Sequence, residues 1–312
     1  MSSLVERKRN AGPAEGTYVP RLPPTAAAAA ARTAADAGRA DGRSPLALRA
    51  LIAAAGPVTA ASGSGAVEAG AIRIIAAAYG PRPFHVSAGA AATETVTLAT
   101  VPPVRVAVSH APFSGPPGTR RTAFRGAGTR DADIARAVAQ GILPALVPAD
   151  GDAADGTGTG TGTGGDKATV DVHVMVLSAD GASATQAACV TACGLALADA
   201  GVRLRDVPVG VSAGVVHSAV VLDLTHAEET RLQDVQTAAS ARPTAAAEAG
   251  GGMWVTYLPR TRELAHIQQY GVVDGALLGE MLDACTDAAS RIADVIEKEL
   301  LRSVAEGFAP VS

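Results

Sequence analysis

The stretch between residues 171 and 223 constrains the fold more strongly than any other part of this 312-residue sequence. It begins with valines that alternate with polar residues, which is the period-2 pattern of a half-buried strand. An Asp-Gly turn follows at Asp180, and residues 185–200 form a nearly all-apolar helix pattern that Gly201 ends as a C-terminal cap. Two apolar runs within residues 207–224 predict a strand hairpin. These elements, in this order, predict a sheet packed on a buried helix.

The rest of the sequence continues this alternation of strands and helices. Apolar side chains at helical spacing follow an acidic first turn at 129–147, and they form a long amphipathic stripe at 277–300. Short strands separated by Gly and Pro turns are predicted at 45–58, 61–81, 103–113, 253–258 and 264–270. A polar, Ala-rich stretch at 230–250 receives no assignment. Strands followed by helices, repeated once, favour a two-layer α+β domain and are compatible with a pseudo-duplicated architecture.

The domain organisation follows from shifts in composition. Residues 1–40 are rich in Ala, Pro, Gly and Arg and are predicted to form a low-complexity N-terminal extension. A single folded domain is predicted for residues 41–308, with a flexible loop at 150–167. That loop carries a Gly-Thr run next to Lys167, but Asp166 breaks the GxxxxGK[ST] pattern and the run leads into a strand. We therefore interpret it as a surface loop and not as a phosphate-binding loop.

Composition excludes several classes of protein without selecting a partner. A formal net charge of -4 argues against a chain that coats nucleic acid uniformly, although it allows a local basic patch. Cys189, Cys193 and Cys285 fit neither a disulfide framework nor a zinc site, and we predict buried thiols in a reducing compartment. The N-terminus is too polar for a secretory signal, and no apolar run reaches membrane-spanning length. We therefore expect a soluble intracellular protein.

Five short motifs follow one another over most of the chain. They are DGR (41–43), GSGAVEAG (63–70) with AAYGPRP (77–83), ALADAG (196–201) with Arg205-Asp206, VSAG (211–214) and LDLTHAEE (222–229). Together they resemble the RNase PH family over roughly residues 41–305. Members of that family trim RNA with phosphate or form the ring of the RNA exosome. The resemblance implies an α+β RNase PH fold, of the ribosomal protein S5 domain 2-like type, with mixed sheets packed on helices.

The resemblance also indicates where phosphate would bind. Phosphorolysis needs an arginine and backbone N–H donors to hold the attacking phosphate dianion. In active family members the Asp-Gly turn continues as Gly-Ser/Thr-Arg. This chain reads Ala-Ser-Ala after the turn, so Ala184 stands where the phosphate-binding arginine is found.

The carboxylates of the family's catalytic site are only partly retained. Asp223 matches the first catalytic aspartate, and Glu229 stands where the second is found. Carboxylates there would bind a metal or move a proton near the leaving 3′ oxygen, but the longer stem of Glu229 displaces its charge. The alternative interpretation is a pair of solvated acids at a strand end. We expect a degenerate site at Asp223, Glu229 and Ala184, with no catalytic residue, no metal and no cofactor, provided that no other arginine of this chain reaches the cavity beside Asp223.

A basic segment between residues 116 and 130 is the candidate RNA-binding site. It contains Arg120, Arg121, Arg125 and Arg130 with no acidic residue among them. Arg130 matches the first of two adjacent RNA-binding arginines in active family members, and Asp131 occupies the second position. Four guanidinium groups on a Gly-rich loop are predicted to hold the backbone of single-stranded RNA without reading its sequence. The alternative is a solvated basic loop with no partner.

The resemblance implies a non-catalytic subunit of the six-membered exosome ring, which assembles the ring and lines its channel during 3′-to-5′ RNA degradation and rRNA processing. The implied partners are other RNase PH-like ring subunits, RNA-binding cap subunits and single-stranded RNA, with no membrane. The implied location is the nucleus, nucleolus and cytoplasm. Residues 5–16 and 109–115 favour the subunit type called mRNA transport regulator 3, whereas the central motifs also resemble the ribosomal RNA processing protein 41 type.

Two other functions stay open. One is an active phosphate-dependent 3′-to-5′ exoribonuclease that uses Asp223 and Glu229 together with an arginine from a neighbouring subunit. The other is a stand-alone RNA-binding module.

Overall fold

The computed structural model describes residues 39, 41–83, 104–115, 129–147, 168–216, 219–241 and 250–307. The chain divides into two compact units, Met1–Ser44 and Pro45–Ser312. In the described part of the first unit, Asp41 forms an ion pair with Arg43 at 2.5 Å. All of the strands and helices given below belong to the second unit.

The described residues form nine strands and four α-helices. The strands are β1 (Leu51–Ala55), β2 (Gly63–Ala69), β3 (Ile72–Pro83), β4 (Val104–His110), β5 (Ala168–Ser178), β6 (Val209–Val216), β7 (Ala219–Leu222), β8 (Gly251–Leu258) and β9 (Glu263–Gly271). The helices are α1 (Thr129–Ile142), α2 (Ala182–Asp199), α3 (His226–Ala241) and α4 (Gly275–Gly307), and a 3-10 turn (Leu143–Ala145) follows α1.

The strands form two sheets. The first has the order β1-β2-β3-β5-β4 and is mixed, because β4 runs parallel to β5 while the other neighbours are antiparallel. The second has the order β7-β6-β8-β9 and is antiparallel throughout. The predicted α+β class with a mixed sheet is confirmed.

Helix α2 lies at the centre of the fold, and 14 of its 18 residues are buried. A helix that is apolar on all sides needs packing partners on all sides. Small residues provide the necessary space: a Cβ added at Gly210 of β6 would lie 2.1 Å from the carbonyl oxygen of Ala187. A Cβ at Gly63 of β2 would lie 2.1 Å from the nitrogen of Ala200. The Ala- and Gly-rich composition therefore lets both sheets approach the backbone of α2 closely.

Two hydrophobic cores lie on either side of this arrangement. The first joins the five-stranded sheet, α1 and α2, and the second joins β6, β8 and α4 around Leu195, Met281 and Ile296. All three cysteines are free and buried within these cores, as predicted. Burial raises the pKa of the Cys189 and Cys285 thiols to about 12.

The predicted strands and helices occur where the sequence patterns indicated, with one addition. Helix α3 occupies much of the 230–250 stretch for which no element was assigned. It begins with a capping box, because Thr225 N donates to Glu228 at 2.8 Å and Glu228 N donates to the Thr225 hydroxyl at 3.4 Å. The predicted extension up to residue 38 and the loop at 150–167 lie outside the described residues. None of the described helices is long and apolar enough to span a membrane.

Candidate functional site

The candidate site lies at the N-terminus of α2, where the end of β5, the residues after β7 and the start of α3 meet. Gly181 precedes α2 with a φ of 83°, a left-handed conformation that glycine adopts without steric cost. A Cβ there would lie 2.7 Å from the carbonyl oxygen of Leu224 and 3.4 Å from the carboxyl carbon of Glu229. The glycine of the Asp-Gly turn is thus required by both its conformation and the closeness of these neighbours.

Glu229 caps the N-terminus of α2. One of its carboxylate oxygens accepts a hydrogen bond from Ala182 N, and the other accepts one from Ser183 N at 2.8 Å. Its side chain is buried, with Glu229 only 3% exposed. The first backbone N–H groups of a helix have no partner within the helix and carry a partial positive charge, so they favour an anion. In this structure that anion is a carboxylate of the same chain.

Arg49 connects the two aspartates of the site. Its Nε donates to Asp223 Oδ2 at 2.8 Å, its Nη2 donates to Asp223 Oδ1 at 2.5 Å, and its own backbone nitrogen donates to Asp223 Oδ2 at 2.9 Å. Nη1 forms an ion pair with Asp180 Oδ2 at 2.6 Å. The Arg49 side chain is 8% exposed. Charge-assisted contacts on three guanidinium nitrogens hold this arginine firmly in place.

The two aspartates are also fixed by the backbone around them. Asp223 has a φ of 56°, the left-handed region that aspartate visits more readily than most residues, and its nitrogen donates to Ser212 O at 2.8 Å. Asp180 uses its second oxygen to accept a hydrogen bond from His226 N at 2.9 Å, at the start of α3. Each carboxylate is therefore engaged by the protein itself.

A tyrosine from the second sheet closes the site. The Ser183 hydroxyl donates to the Tyr270 hydroxyl at 3.2 Å. Burial raises the pKa of Tyr270 to about 12, the negative charge of Glu229 acts in the same direction, and the hydrogen bond from Ser183 opposes them. The phenol therefore stays protonated and neutral beside the Glu229 carboxylate.

Ala184 lines a cavity of about 50 Å³ beside these residues. Arg49, Asp223 and Ser212 also line it, and most of its remaining wall is apolar. Ser212 is buried, and its hydroxyl has no hydrogen-bond partner among the described residues. The methyl group at position 184 is thus accompanied by empty space, where a longer side chain would find room.

The charges of the site do not favour a phosphate dianion. Among the contacts of the described residues, Asp180, Asp223 and Glu229 supply three carboxylates and Arg49 supplies one guanidinium. A further anion would meet net negative charge, and the helix N–H groups that could bind it already donate to Glu229. Among the described residues, no group of three or more His, Cys, Asp or Glu side chains is arranged to hold a metal ion.

The structure brings together all three members of the predicted degenerate site, Asp223, Glu229 and Ala184, and it adds Arg49. Arg49 was not predicted from the sequence. The degenerate-site expectation depended on the absence of any other arginine of this chain from the cavity beside Asp223, and the structure places Arg49 there, so that condition is not met. A charged residue inside the apolar run that precedes β1 was the available signal, because a buried arginine requires a carboxylate partner.

The side chains of the four predicted RNA-binding arginines lie outside the described part of the structure. Arg120, Arg121 and Arg125 lie outside the described residues, and so does the side chain of Arg130, whose backbone belongs to α1. Asp131, which follows Arg130, pairs with His110 Nδ1 at 2.8 Å. RNA binding by this segment therefore stays a prediction.

Similarity to proteins of known structure agrees with the topology described above. The fold resembles the crystal structure of Rrp46 from rice (Oryza sativa) with a TM-score of 0.60 and 21% sequence identity, covering 84% of this chain and 100% of that one. The predicted RNase PH fold is confirmed.

Sequence relatives extend this result. Residues 47–203 match the RNase PH family, described as the 3′ exoribonuclease family, domain 1. Exosome complex component Rrp41 from Pyrobaculum islandicum is 35% identical over 197 residues, which cover 61% of this chain and 67% of that protein. Its counterpart from Pyrobaculum calidifontis is 32% identical over 239 residues, which cover 76% and 78%. The RRP41 homolog of Arabidopsis thaliana is 31% identical over 192 residues, which cover 62% and 69%. The chain belongs to the RNase PH family.

Proposed function

We propose that this chain is a non-catalytic RNase PH-fold subunit of an exosome ring. Family membership and similarity to proteins named exosome complex components support the ring assignment. The Glu229 carboxylate of the same chain occupies the candidate site, and this supports the absence of catalysis.

One observation carries the non-catalytic part of the proposal. The N–H groups of Ala182 and Ser183, which could hold an attacking phosphate, both donate to the Glu229 carboxylate. A phosphate dianion would have to displace a buried carboxylate that two hydrogen bonds stabilise. It would also lack the guanidinium that active members supply at the position of Ala184. Loss of a single donor to a developing negative charge costs about 3 kcal/mol in other enzymes, so the combined loss is large.

In this role the chain completes the ring and lines its RNA channel, so that 3′-to-5′ degradation and rRNA processing are carried out by a nuclease elsewhere in the complex. Its partners would be other RNase PH-like ring subunits, RNA-binding cap subunits and single-stranded RNA. A location in the nucleus, nucleolus and cytoplasm stays a prediction, which microscopy of the fluorescently tagged chain tests.

Two types of ring subunit fit the proposed function. The relatives described above are Rrp41 proteins, which supports the ribosomal RNA processing protein 41 type. The mRNA transport regulator 3 type, favoured by residues near the N-terminus, stays a prediction. Mass spectrometry of the native complex distinguishes them, because a ring that contains a separate Rrp41 subunit beside this chain favours the regulator type.

Arg49 favours a second candidate, an active phosphorolytic exoribonuclease. It lies in the same cavity wall as Asp223 and Ala184, where an arginine of this chain could exchange its carboxylate partners for phosphate. The non-catalytic assignment rests on the opposite expectation, that Arg49 keeps Asp180 and Asp223 as partners.

Incubation of the native complex, purified through this chain, with RNA and inorganic phosphate decides between the two candidates. The non-catalytic proposal expects no phosphate-dependent release of nucleoside diphosphates. Release that persists in the wild type and disappears in a complex with Asp223→Asn would establish the enzyme. Circular dichroism of the variant chain serves as the control for folding.

The predicted basic segment has its own test. Replacement of Arg120, Arg121, Arg125 and Arg130 by alanine is expected to weaken RNA retention by the assembled ring and to flatten its salt dependence. If RNA retention at low salt does not change, the segment is a solvated basic loop that does not bind RNA.

A further inference from the structure

A second arginine cluster lies at the opposite end of α2 from the candidate site. It consists of Arg203 and Arg205, in the loop after α2, and Arg260 and Arg262, in the turn between β8 and β9; we call these four residues the arginine patch. The 18 residues of α2 separate the two ends of the helix by about 27 Å. The patch is therefore distinct from the site built around Glu229 and Arg49.

The first two arginines project from the same side of an extended segment. Leu204 forms an antiparallel bridge with Leu146 and packs against the first hydrophobic core. Val147 N donates to Arg203 O at 3.1 Å, and Arg205 N donates to Ala145 O at 2.7 Å, so the backbone on both sides of Leu204 is fixed. Successive side chains of an extended chain alternate, which places Arg203 and Arg205 together on the solvent side, about 6.6 Å apart along the chain.

Asp206 binds the turn that contains the other two arginines. Its Oδ2 accepts hydrogen bonds from Arg260 N at 2.6 Å and from Thr261 N at 3.4 Å, and its Oδ1 accepts one from Val207 N at 2.8 Å. The carboxylate is thus bound to backbone N–H groups of the turn. The Asp206 side chain therefore couples the loop after α2 to the turn between β8 and β9.

Arg262 has a backbone conformation that arginine rarely adopts. Its φ is 57°, in the left-handed region, where a residue other than glycine, asparagine or aspartate costs about 1 kcal/mol. Glycine would fill this turn position without strain. The presence of arginine is therefore not explained by the needs of the turn and points to a use for its side chain.

Among the described residues the patch carries more positive than negative charge, although the chain is acidic as a whole. All four arginines are exposed, and none of them forms an ion pair within the described part of the chain. Asp206 and Glu263 are the two acidic residues of these segments, which leaves four guanidinium groups against two carboxylates. A cluster of this kind attracts a polyanion.

We propose that the arginine patch binds the sugar-phosphate backbone of single-stranded RNA without reading its bases. All four cations are arginines, whose planar guanidinium groups bind phosphate oxygens in pairs. Neither the loop at 201–206 nor the turn at 259–262 contains an aromatic residue, so neither offers a surface for base stacking. This inference does not rest on the proposed ring function, since it concerns a different surface.

The test compares matched double variants of the full-length chain. Arg203→Gln/Arg260→Gln removes two charges from the patch, and Arg231→Gln/Arg291→Gln removes two from exposed positions on α3 and α4. Binding of a short fluorescein-labelled oligouridylate is followed by anisotropy over a range of salt concentrations. The patch variant is expected to bind about tenfold more weakly and to reduce the slope of log K against log salt by about 1.4, whereas the control keeps the wild-type slope.

Arg262→Gly separates binding from folding. Because glycine relieves the strained φ, thermal unfolding should occur at the same or a higher temperature than in the wild type, while affinity for the oligouridylate falls. Equal affinity and slope in the wild type, the patch variant and Arg262→Gly would overturn the proposal. It would also be overturned if the patch variants lost affinity for a labelled poly-glutamate peptide and kept affinity for RNA, because the surface would then be a dock for an acidic protein.

Discussion

Arg49 holds the carboxylate of Asp223 with both its guanidinium group and its own backbone nitrogen, although 174 positions separate the two residues in sequence. Both oxygens of Asp223 are occupied by this one residue. The Arg49–Asp223 pair links the segment before β1 to the end of β7. Asp180, which also pairs with Arg49, extends this link to the starts of α2 and α3. Asp223, which was predicted from the sequence to match a catalytic aspartate of the family, therefore serves here as a structural link.

Asp223→Asn should destabilise the fold clearly. The substitution removes one of the two carboxylates that pair with the nearly buried Arg49 among the described residues, and Asp180 remains. Loss of one partner of a buried pair costs 3–5 kcal/mol, and partial exposure reduces this to about 2 kcal/mol here. Urea denaturation measures the change.

The matched control is Asp133→Asn, which removes a carboxylate from an exposed pair with Arg136 at 3.5 Å. It should change the free energy of unfolding by less than about 0.5 kcal/mol. Equal effects of the two substitutions would mean that Arg49 contributes nothing through Asp223.

Glu229→Ala should expose an anion-binding site that the wild type fills with its own side chain. Two buried N–H groups, of Ala182 and Ser183, lose their acceptor, at a cost of about 2–3 kcal/mol in unfolding free energy. Formate is small enough to replace the missing carboxylate. At constant ionic strength, it should raise the thermal unfolding temperature of the variant relative to chloride.

Wild type and Glu280→Ala, an exposed substitution on α4, provide the comparison. Neither should respond specifically to formate, because neither leaves a helix N-terminus without an acceptor. A formate effect of the same size in all three proteins would be a general salt effect and would contradict the capping role of Glu229.

Much of the fold was predictable because its signals are local. The alternating valines of β5, the all-apolar α2 and the stripe of α4 each specify one element and the face that it buries. Helix α3 was missed because its weakly apolar sequence lacks such a stripe. A local signal was nevertheless present, since Thr225 and Glu228 have the spacing of a capping box.

The site was predictable only in part, because its decisive contacts are not local. Sequence patterns located Asp223, Glu229 and Ala184, but they do not show which atoms a carboxylate faces. Arg49 meets Asp180 across 131 positions, so its pairing depends on how the strands assemble. Glu229 reaches the N–H groups of α2 only because α3 begins at the same corner of the fold.

Gly210→Ala tests the close approach of β6 to α2. The added methyl carbon would lie 2.1 Å from Ala187 O, a backbone atom that cannot move without shifting the helix. We expect a loss of about 3 kcal/mol or more in unfolding free energy, because overpacking here displaces secondary structure. Thermal denaturation followed by circular dichroism measures it.

Gly279→Ala is the control, since nothing lies within 4 Å of a Cβ at that helical position. Alanine favours the helix over glycine by about 1 kcal/mol, so this variant should be slightly more stable than the wild type. Destabilisation of similar size in both variants would show that the Gly210 contact is not the cause.

Tyr270 should make the fold lose stability at alkaline pH. Burial raises its folded-state pKa from 10.0 to about 12, so the neutral phenol is favoured in the folded state. This stabilisation is complete below pH 10.0 and is lost as the pH rises through about 12, because the unfolded chain ionises first. Each unit of this pKa difference is worth about 1.4 kcal/mol, so the full loss over this window is about 2.7 kcal/mol, which the partial exposure of the phenol to water reduces to about 2 kcal/mol. Since the buried cysteines titrate over part of the same range, we compare the wild type with Tyr270→Phe, which keeps every other group.

The stability of the wild type relative to the variant should stay constant below pH 10.0 and fall above it. Urea denaturation measures the difference in unfolding free energy between the two proteins. If this difference does not depend on pH, Tyr270 ionises as easily in the folded chain as in the unfolded one, and water reaches the phenol beside Glu229.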